Sequence, residues 1–258
     1  MTAQLERYFE SETRRARSKH KLRVGLAYTL EDLRAFQRLR HMVFVEEMGA
    51  RLTLSEPGIE SDRFDHYCQH LLVWDESCGQ VVGGYRILTD RQAERAGGFY
   101  SQTEFDLTRL LATPGRRVEV GRTCVHPDFR SGAVISLLWS GLARFMLMQR
   151  YDYLMGCASI QLTNGIEQIG RIWHTLATEH LCGPEMRVFP RSPFASLPRP
   201  AAGSVSEFPP LLNAYLRLGA QICGEPAWDP EFNVADLFVL LSLDRVTGRY
   251  AQHFMRRG

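Results

Sequence analysis

Hydrophobic and polar positions divide the chain into short alternating runs and longer runs of helical spacing. LRVGLAY (22–28) alternates like a strand with one face on a core. Thr29 then stands where a helix N-cap belongs, with Asp32 three residues on as an Asp-for-Glu variant of the capping box. Leu30, Leu33, Phe36, Leu39, Val43 and Phe44 follow at helical spacing and predict an amphipathic helix over 30–48. HLLVWDES (70–77) and VVGGYRIL (81–88) flank Cys78-Gly79-Gln80, a short glycine-containing connection that predicts a β-hairpin. A helical patch near 103–112 precedes a strand at 117–126 and a helix over 131–150. A strand at 151–160, a helix near 164–181 and a strand at 186–191 come next. Six prolines between 190 and 210 predict a loop or linker, after which PLLNAYLRLGA reads as a helix and ADLFVLLSL as a strand. The order β-α-β-β-α-β-α-β-α-β predicts a mixed sheet with helices on its faces, an α/β or α+β fold. The expected organisation is one domain over 22–258 behind a basic segment at 1–21.

Composition narrows the class without choosing a function. The chain has 258 residues, 45% hydrophobic and 23% charged, as expected of a soluble globular protein. A net charge of +2 suggests no nucleic-acid partner. Six cysteines without a CxxC pair read as reduced thiols in a cytoplasmic protein. The opening MTAQLERYFESETRR has no apolar core, so no secretory signal is expected. No stretch reaches the roughly 18 to 20 apolar residues needed to span a bilayer. RRARSKHKLR (14–23) holds six Lys or Arg in ten positions. It is either a solvated face or a basic surface for an acyl carrier protein or anionic lipid, compatible with peripheral contact with the inner membrane.

Candidate chemistry is densest in VEVGRTCVHPDFR (118–130), an apolar strand carrying Glu119 and Arg122. In a regular strand these two side chains point to opposite faces. Gly121 lies between them, where a bulge would turn both charges to one side and free backbone groups for an extended ligand. Ser131-Gly132-Ala133 then opens a helix whose N-terminal N–H groups favour phosphate. A phosphopantetheine site and a buried Glu–Arg ion pair beside a routine turn are both open readings. Cys124 sits two residues past Arg122, but no histidine is placed to activate it, so it reads as a small core residue.

Glu60-x-Asp62-x-x-Asp65 forms a second constellation, either a solvated loop or a grip for a cationic substrate. His66 and His70 lie close by, but the spacing matches no established metal site, and no metal is expected. Arg40 and Arg86 are surface residues or planar clamps for a carboxylate or phosphate. Phe44, Trp74, Phe105, Leu138 and Trp139 are core residues or the lining of an acyl tunnel.

In their order along the chain these residues resemble the acyl-homoserine-lactone synthases of the Gcn5-related N-acyltransferase (GNAT) fold. The residues that carry the likeness are Arg40-x-x-x-Phe44, Glu60-x-Asp62-x-x-Asp65, Gly84-x-Arg86 on its strand, and Glu119-x-x-Arg122. EVGRTCVHPDFR with AVISLLWSGLARF, PEMRVFPR, and YLRLGAQICGEPAWDPEFNVADLFVLL look more like a sister group, the ornithine Nα-acyltransferases. The resemblance spans roughly 22–243. It implies a GNAT-like mixed sheet with a bulged central strand and a C-terminal extension. It also implies transfer of a 3-hydroxyacyl chain from acyl carrier protein to the α-amino group of L-ornithine, the first step of ornithine lipid synthesis.

The glycine-rich phosphate loop of the wider fold is reduced here to Arg130-Ser131-Gly132-Ala133, which sets the resemblance against tight coenzyme A binding and fits a carrier-protein thioester. No cofactor is then expected beyond the thioester itself. The implied site takes Glu119, Arg122, Glu60 and Asp62 as catalytic, and Arg40, Phe44, Asp65 and Arg86 as substrate-binding. Gly121, Thr123, Cys124, Val125, Arg130, Ser131, Gly132 and Ala133 would hold the acyl-pantetheine arm. The rivals are a homoserine-lactone synthase using S-adenosylmethionine, a synthase acylating another amino acid such as tyrosine, and a non-catalytic carrier-protein or lipid binding module.

Overall fold

The computed structural model describes residues 21–199 and 207–245. Most of the basic stretch, including Arg14, Arg15 and Arg17, and part of the proline-rich stretch lie outside the described residues. In chain order the elements begin with β1 (Leu22–Leu26), α1 (Leu30–Arg40), a π-helical segment (His41–Glu47), β2 (Gln69–Asp75), β3 (Gln80–Thr89) and α2 (Asp90–Ala96). A 3-10 turn (Tyr100–Thr103), β4 (Phe105–Asp106), α3 (Thr108–Ala112), β5 (Arg117–Val125), α4 (Ala133–Gln149) and β6 (Tyr153–Gln161) follow. The last are α5 (Ile166–Glu179), β7 (Phe189–Pro190), α6 (Pro210–Arg217), β8 (Gln221–Ile222), β9 (Ala227–Asp229) and β10 (Val234–Ser242). They form two compact units, one of residues up to 96 with 120–150 and one of 97–119 with residues from 151 onward. Strand β5 contributes Val120–Val125 to the first and Arg117–Glu119 to the second.

In the first unit the strands run β1-β2-β3-β5. The expected hairpin is present, β2 and β3 pairing antiparallel from Gln69↔Ile87 to Asp75↔Gln80 with an irregularity at Val73/Trp74. Thr29 and Asp32 close the capping box that starts α1: Asp32 N donates to Thr29 Oγ1 at 3.0 Å and Thr29 N to Asp32 Oδ2 at 3.0 Å. Leu30, in the first turn, is exposed, so the buried face begins later than the apolar spacing suggests. At Arg40 the helix widens into the π-helical segment, where Met48 N donates to Val43 O at 3.0 Å. The single helix expected over 30–48 is therefore two helical forms, with the change of pitch directly after Arg40. Single π turns inside helices often accompany functional sites.

Helix α4 buries Val134, Leu137, Leu138, Leu142, Phe145 and Met146 at i, i+3, i+4 spacing. Gly83 on β3 makes room for it, because a Cβ there would lie 2.4 Å from Val134 Cγ1. Each large side chain buried on this stripe contributes about 1.5–3 kcal/mol.

In the second unit, β5 pairs parallel with β6 through Arg117↔Tyr153, Val118↔Leu154 and Glu119↔Met155. Strands β6 and β10 pair antiparallel from Tyr153↔Ser242 to Gln161↔Val234, and β8 and β9 both pair with β10. The helical patch expected near 103–112 divides into β4 and α3. Asp106 causes the break, its Oδ1 accepting from Thr108 N at 2.9 Å in a local turn that starts the short helix afresh. The strand expected over 186–191 is only Phe189–Pro190, since a 3-10 turn at Pro184–Met186 and the missing N–H of Pro190 limit its ladder. Among the described residues no helix is long and apolar enough to cross a membrane.

Candidate active site

Arg40, Glu60, Asp62, Asp65, Arg86 and Arg122 converge in the first unit. Arg40 leaves the last turn of α1 fully buried, its Nε bonded to Glu60 Oε2 and its Nη1 2.8 Å from Asp65 Oδ1. Arg86, on β3, reaches Asp62 Oδ2 at 2.6 Å and Asp65 Oδ1 at 3.1 Å. Arg122, on β5, reaches Glu60 Oε1 at 3.1 Å and Asp62 Oδ2 at 3.2 Å. Three guanidiniums thus meet three carboxylates. The loop that carries the acids is shaped locally, by Phe64 N donating to Asp62 Oδ1 at 2.8 Å. It is tied to α1 by Glu60 N donating to Gln37 O at 3.2 Å and by Gln37 Nε2 donating to Asp65 Oδ2 at 2.9 Å.

Burial alone would push the Asp62 and Asp65 carboxyls up, but Arg86 with Arg122 at Asp62, and Arg40 with Arg86 at Asp65, hold both below the ordinary carboxylate value. His70, opposite Arg86 on the hairpin, is held neutral by burial, its pKa lowered to about 4. Within this set Asp62 and Arg122 keep the most solvent contact, at 22% and 11% of their side chains. Arg40, Glu60, Asp65 and Arg86 are sealed.

Further along β5 the left-handed residue is Arg122 (φ 51°), not Gly121. That conformation costs about 1–2 kcal/mol for a residue with a Cβ, and the two ion pairs of Arg122 oppose the cost. A Cβ on Gly121 would meet nothing within 4 Å, so the face of the strand is open there, and the pairing of β5 with β6 ends at Glu119. Thr123 and Val125 are half-buried and Cys124 is buried, with its thiol pushed up to about 12 by burial, far from a nucleophilic thiolate. Arg130 grips Glu47 with two bonds of 2.6 Å and donates to Val125 O at 3.2 Å. Ser131 and Ala133 are exposed, and Gly132 (φ 98°) caps α4 without a side-chain hydrogen bond. Phe44 is buried on the π-helical segment.

Glu119 belongs to the second unit. Its Oε2 accepts from Tyr100 N at 2.7 Å, and its Oε1 accepts from Ser101 N at 2.8 Å and from Ser101 Oγ. The carboxylate is buried and aimed by three donors from one 3-10 turn. The sequence reading paired Glu119 with Arg122 by proximity and missed this turn, along with Gln37. It also missed a group in the same unit, Glu104, Asp229 and Asp236, whose carboxylate oxygens lie within 4.8 Å of one another. Asp236 had a signal in the sequence: it is a lone acid inside the apolar run VADLFVLLS, just as Glu119 is inside RVEVGRTCV.

Comparison with known proteins bears on the fold and the family. Residues 39–140, which hold the whole ion-pair network and the start of α4, match the family model of the acetyltransferase (GNAT) domain. In fold the chain is similar to a CoA-dependent acyl-homoserine lactone synthase solved with SAM and isopentyl-CoA, at 20% identity, with a TM-score of 0.54 over 88% of this chain and 82% of that one. It is similar also to an N-acyl amino acid synthase from uncultured soil microbes, at 12% identity and a TM-score of 0.53 over 88% of this chain and 95% of that one. In sequence it is 36% identical to an L-ornithine Nα-acyltransferase of Brucella abortus, over 90% of this chain and 88% of that protein. It is 38% identical to one of Rhodobacter capsulatus, over 91% of this chain and 95% of that protein. A GNAT-type acyltransferase fold with this degree of identity along nearly its whole length places the chain in the L-ornithine Nα-acyltransferase family.

Proposed function

We propose that this chain transfers a 3-hydroxyacyl group from the thioester of acyl carrier protein to the α-amino group of L-ornithine, the first step of ornithine lipid synthesis. The observation that carries the reading is its 33–38% identity to four L-ornithine Nα-acyltransferases over about 90% of its length.

The chemistry needs an amine that has lost its proton, a polarised thioester carbonyl and a leaving thiol. In this reading Glu119, directly or through a water, accepts the proton of the α-ammonium. The amine nitrogen then forms the amide bond, the C–S bond breaks, and the second proton that nitrogen gives up goes to the departing sulfur. Within the first unit, Asp62 and Arg122 keep the most solvent contact of the ion-pair network, which suits them to meet a ligand. Burial favours a positioning role for Arg40, Glu60, Asp65 and Arg86, which hold the loop and strand in shape. The open strand edge at Gly121, with Thr123 and Val125, suits an extended pantetheine arm. The N–H groups at the start of α4, beside Ser131, Gly132 and Ala133, suit its phosphate. Carrier protein, rather than coenzyme A alone, fits a loop with a single glycine.

Purified protein incubated with 3-hydroxyacyl carrier protein and L-ornithine should give N-acylornithine by mass spectrometry. Arms with the coenzyme A thioester as donor, and with S-adenosylmethionine or tyrosine as acceptor, separate the alternatives. No acylated amine in any arm would leave a binding module instead. Binding to anionic vesicles, lost on charge reversal of Arg14, Arg15 and Arg17, would support peripheral membrane contact.

A further inference from the structure

We infer that Cys182 and Cys223, two buried free thiols of the second unit, are a dithiol site that a peroxide converts reversibly to a disulfide. Neither cysteine is among the residues assigned to acyl transfer, and the inference stands whether or not the ornithine reading holds.

Leu181, just past α5, and Ile222, the last residue of β8, are bridged in parallel, with Ile222 N donating to His180 O and Cys182 N to Ile222 O, each at 2.9 Å. Cys182 and Cys223 are therefore the next residues on two neighbouring parallel segments, and their side chains leave on the same face. Neighbouring strands lie about 4.7–4.9 Å apart, inside the roughly 4.4–6.8 Å between Cα atoms that a disulfide spans. The two thiols are within hydrogen-bonding reach of each other. Both backbones are held in place: Cys223 N donates to Phe238 O at 3.0 Å, Val188 N to Cys223 O at 2.9 Å, and Arg187 Nε to Cys182 O at 2.9 Å.

The two thiols are not equivalent. The hydrogen bond from Cys223 and the charge of Arg187 hold the Cys182 thiol below its ordinary value against the opposing effect of burial. The same contact, with burial, pushes Cys223 well above it. Cys182 is thus the attacking thiol. Its Sγ donates to Gly183 O at 3.4 Å, and Pro184 and Glu185, next along the turn, are exposed. Local opening of that short turn admits a small oxidant. The Cys182 thiolate attacks one peroxide oxygen: the S–O bond forms, the O–O bond breaks, and the leaving hydroxide takes up a proton as water. Cys223, losing its proton, then attacks that sulfur: the S–S bond forms, the S–O bond breaks, and the second hydroxide leaves as water. The two thiols together lose two electrons, and the peroxide is reduced to two waters.

The bond ties the end of α5 to the end of β8 and closes a loop of about 40 residues, which raises stability by restricting the unfolded chain. That loop carries β7, α6 and the proline-rich stretch. Excess thiol reopens the bond by exchange. Where thiols are kept reduced such a bond is transient, the mark of a sensor and not of a permanent cross-link.

The test treats the full chain with hydrogen peroxide, in a C78S background that removes the exposed cysteine. Remaining thiols are then alkylated in denaturant and the peptides mapped by mass spectrometry. A cross-linked peptide joining Cys182 to Cys223, lighter by two hydrogens and reversed by dithiothreitol, is the expected product. The melting temperature should rise with it by about 5 °C or more. In C223S, dimedone should label Cys182 as the trapped sulfenic acid, whereas in C182S it should leave Cys223 unlabelled. Full alkylation of both cysteines after peroxide treatment overturns the inference. So do cross-links from either one to Cys68, Cys124 or Cys157 in equal yield, or dimedone on Cys223 in place of Cys182. The mapping needs neither serine variant at the pair, so a variant that fails to fold leaves the deciding measurement in place.

Discussion

Arg122 holds a left-handed backbone conformation, φ 51°, and from it places Nε 3.1 Å from Glu60 Oε1. Glu60 in turn accepts from Arg40 with its other oxygen, so one carboxylate joins strand β5 to the end of α1. Removing a single partner from such a buried set leaves an uncompensated charge, which costs far more than an exposed pair contributes. E60Q should therefore lower the stability of the first unit by about 3–5 kcal/mol. Urea unfolding followed by circular dichroism checks it, and a loss below 1 kcal/mol would show that the network is not closed as described.

His70 gives a pH signature. Its folded pKa, about 4, lies below its ordinary value of 6.5. Its contribution is therefore fully present above about pH 6.5 and is lost as the pH falls toward 4, a total of about 3 kcal/mol. Glu104, raised in the folded state, acts in the opposite sense over part of the same range, so the total stability curve hides the effect. The difference between wild type and H70N isolates it, and should shrink by about that amount between pH 7 and pH 4. Asp62 and Asp65, both lowered, act only below about pH 4.

Two glycines should respond oppositely to the same change. G83A presses a methyl against Val134 and should cost about 1–3 kcal/mol. G121A adds a methyl in open space and should leave stability within about 0.5 kcal/mol. Its effect should be a raised KM for the acyl thioester, seen in steady-state kinetics, if the pantetheine arm runs along that edge.

Glu119 carries the proton-transfer proposal. E119Q should lower kcat by about 10²–10⁴-fold. S101A, which removes one of its three donors, should give a smaller loss and alter the pH profile of kcat. An E119Q variant that turns over normally would take Glu119 out of the proton path.

Much of the site could be read from residue type, because charges inside apolar runs are conspicuous. Arg86 in VVGGYRIL and Glu119 with Arg122 in RVEVGRTCV stood out for that reason. Their partners did not, since Arg40 and Glu60 are 20 residues apart and Arg122 and Glu60 are 62 apart, and spacing says nothing about such contacts. Glu104 sits in SQTEFD, where an acid looks like ordinary surface, and only the strand positions of Asp229 and Asp236 give it company. The hairpin, α4 and β10 followed from period. The π-helical segment did not, because over seven residues its pitch leaves an apolar pattern that an α-helix also fits. Strands β8 and β9, two and three residues long, are too short to show any period.

The matched charges around Glu60 also bear on how the family can vary. No member of the set can be exchanged alone without stranding a partner in the interior, so single charge changes are closed to drift. Relatives that acylate a different amine should differ from this chain by compensated pairs, an arginine and a carboxylate lost or moved together. Paired replacement at Arg86 and Asp62, compared with each alone, would measure how tightly that coupling restricts the evolution of a new acceptor.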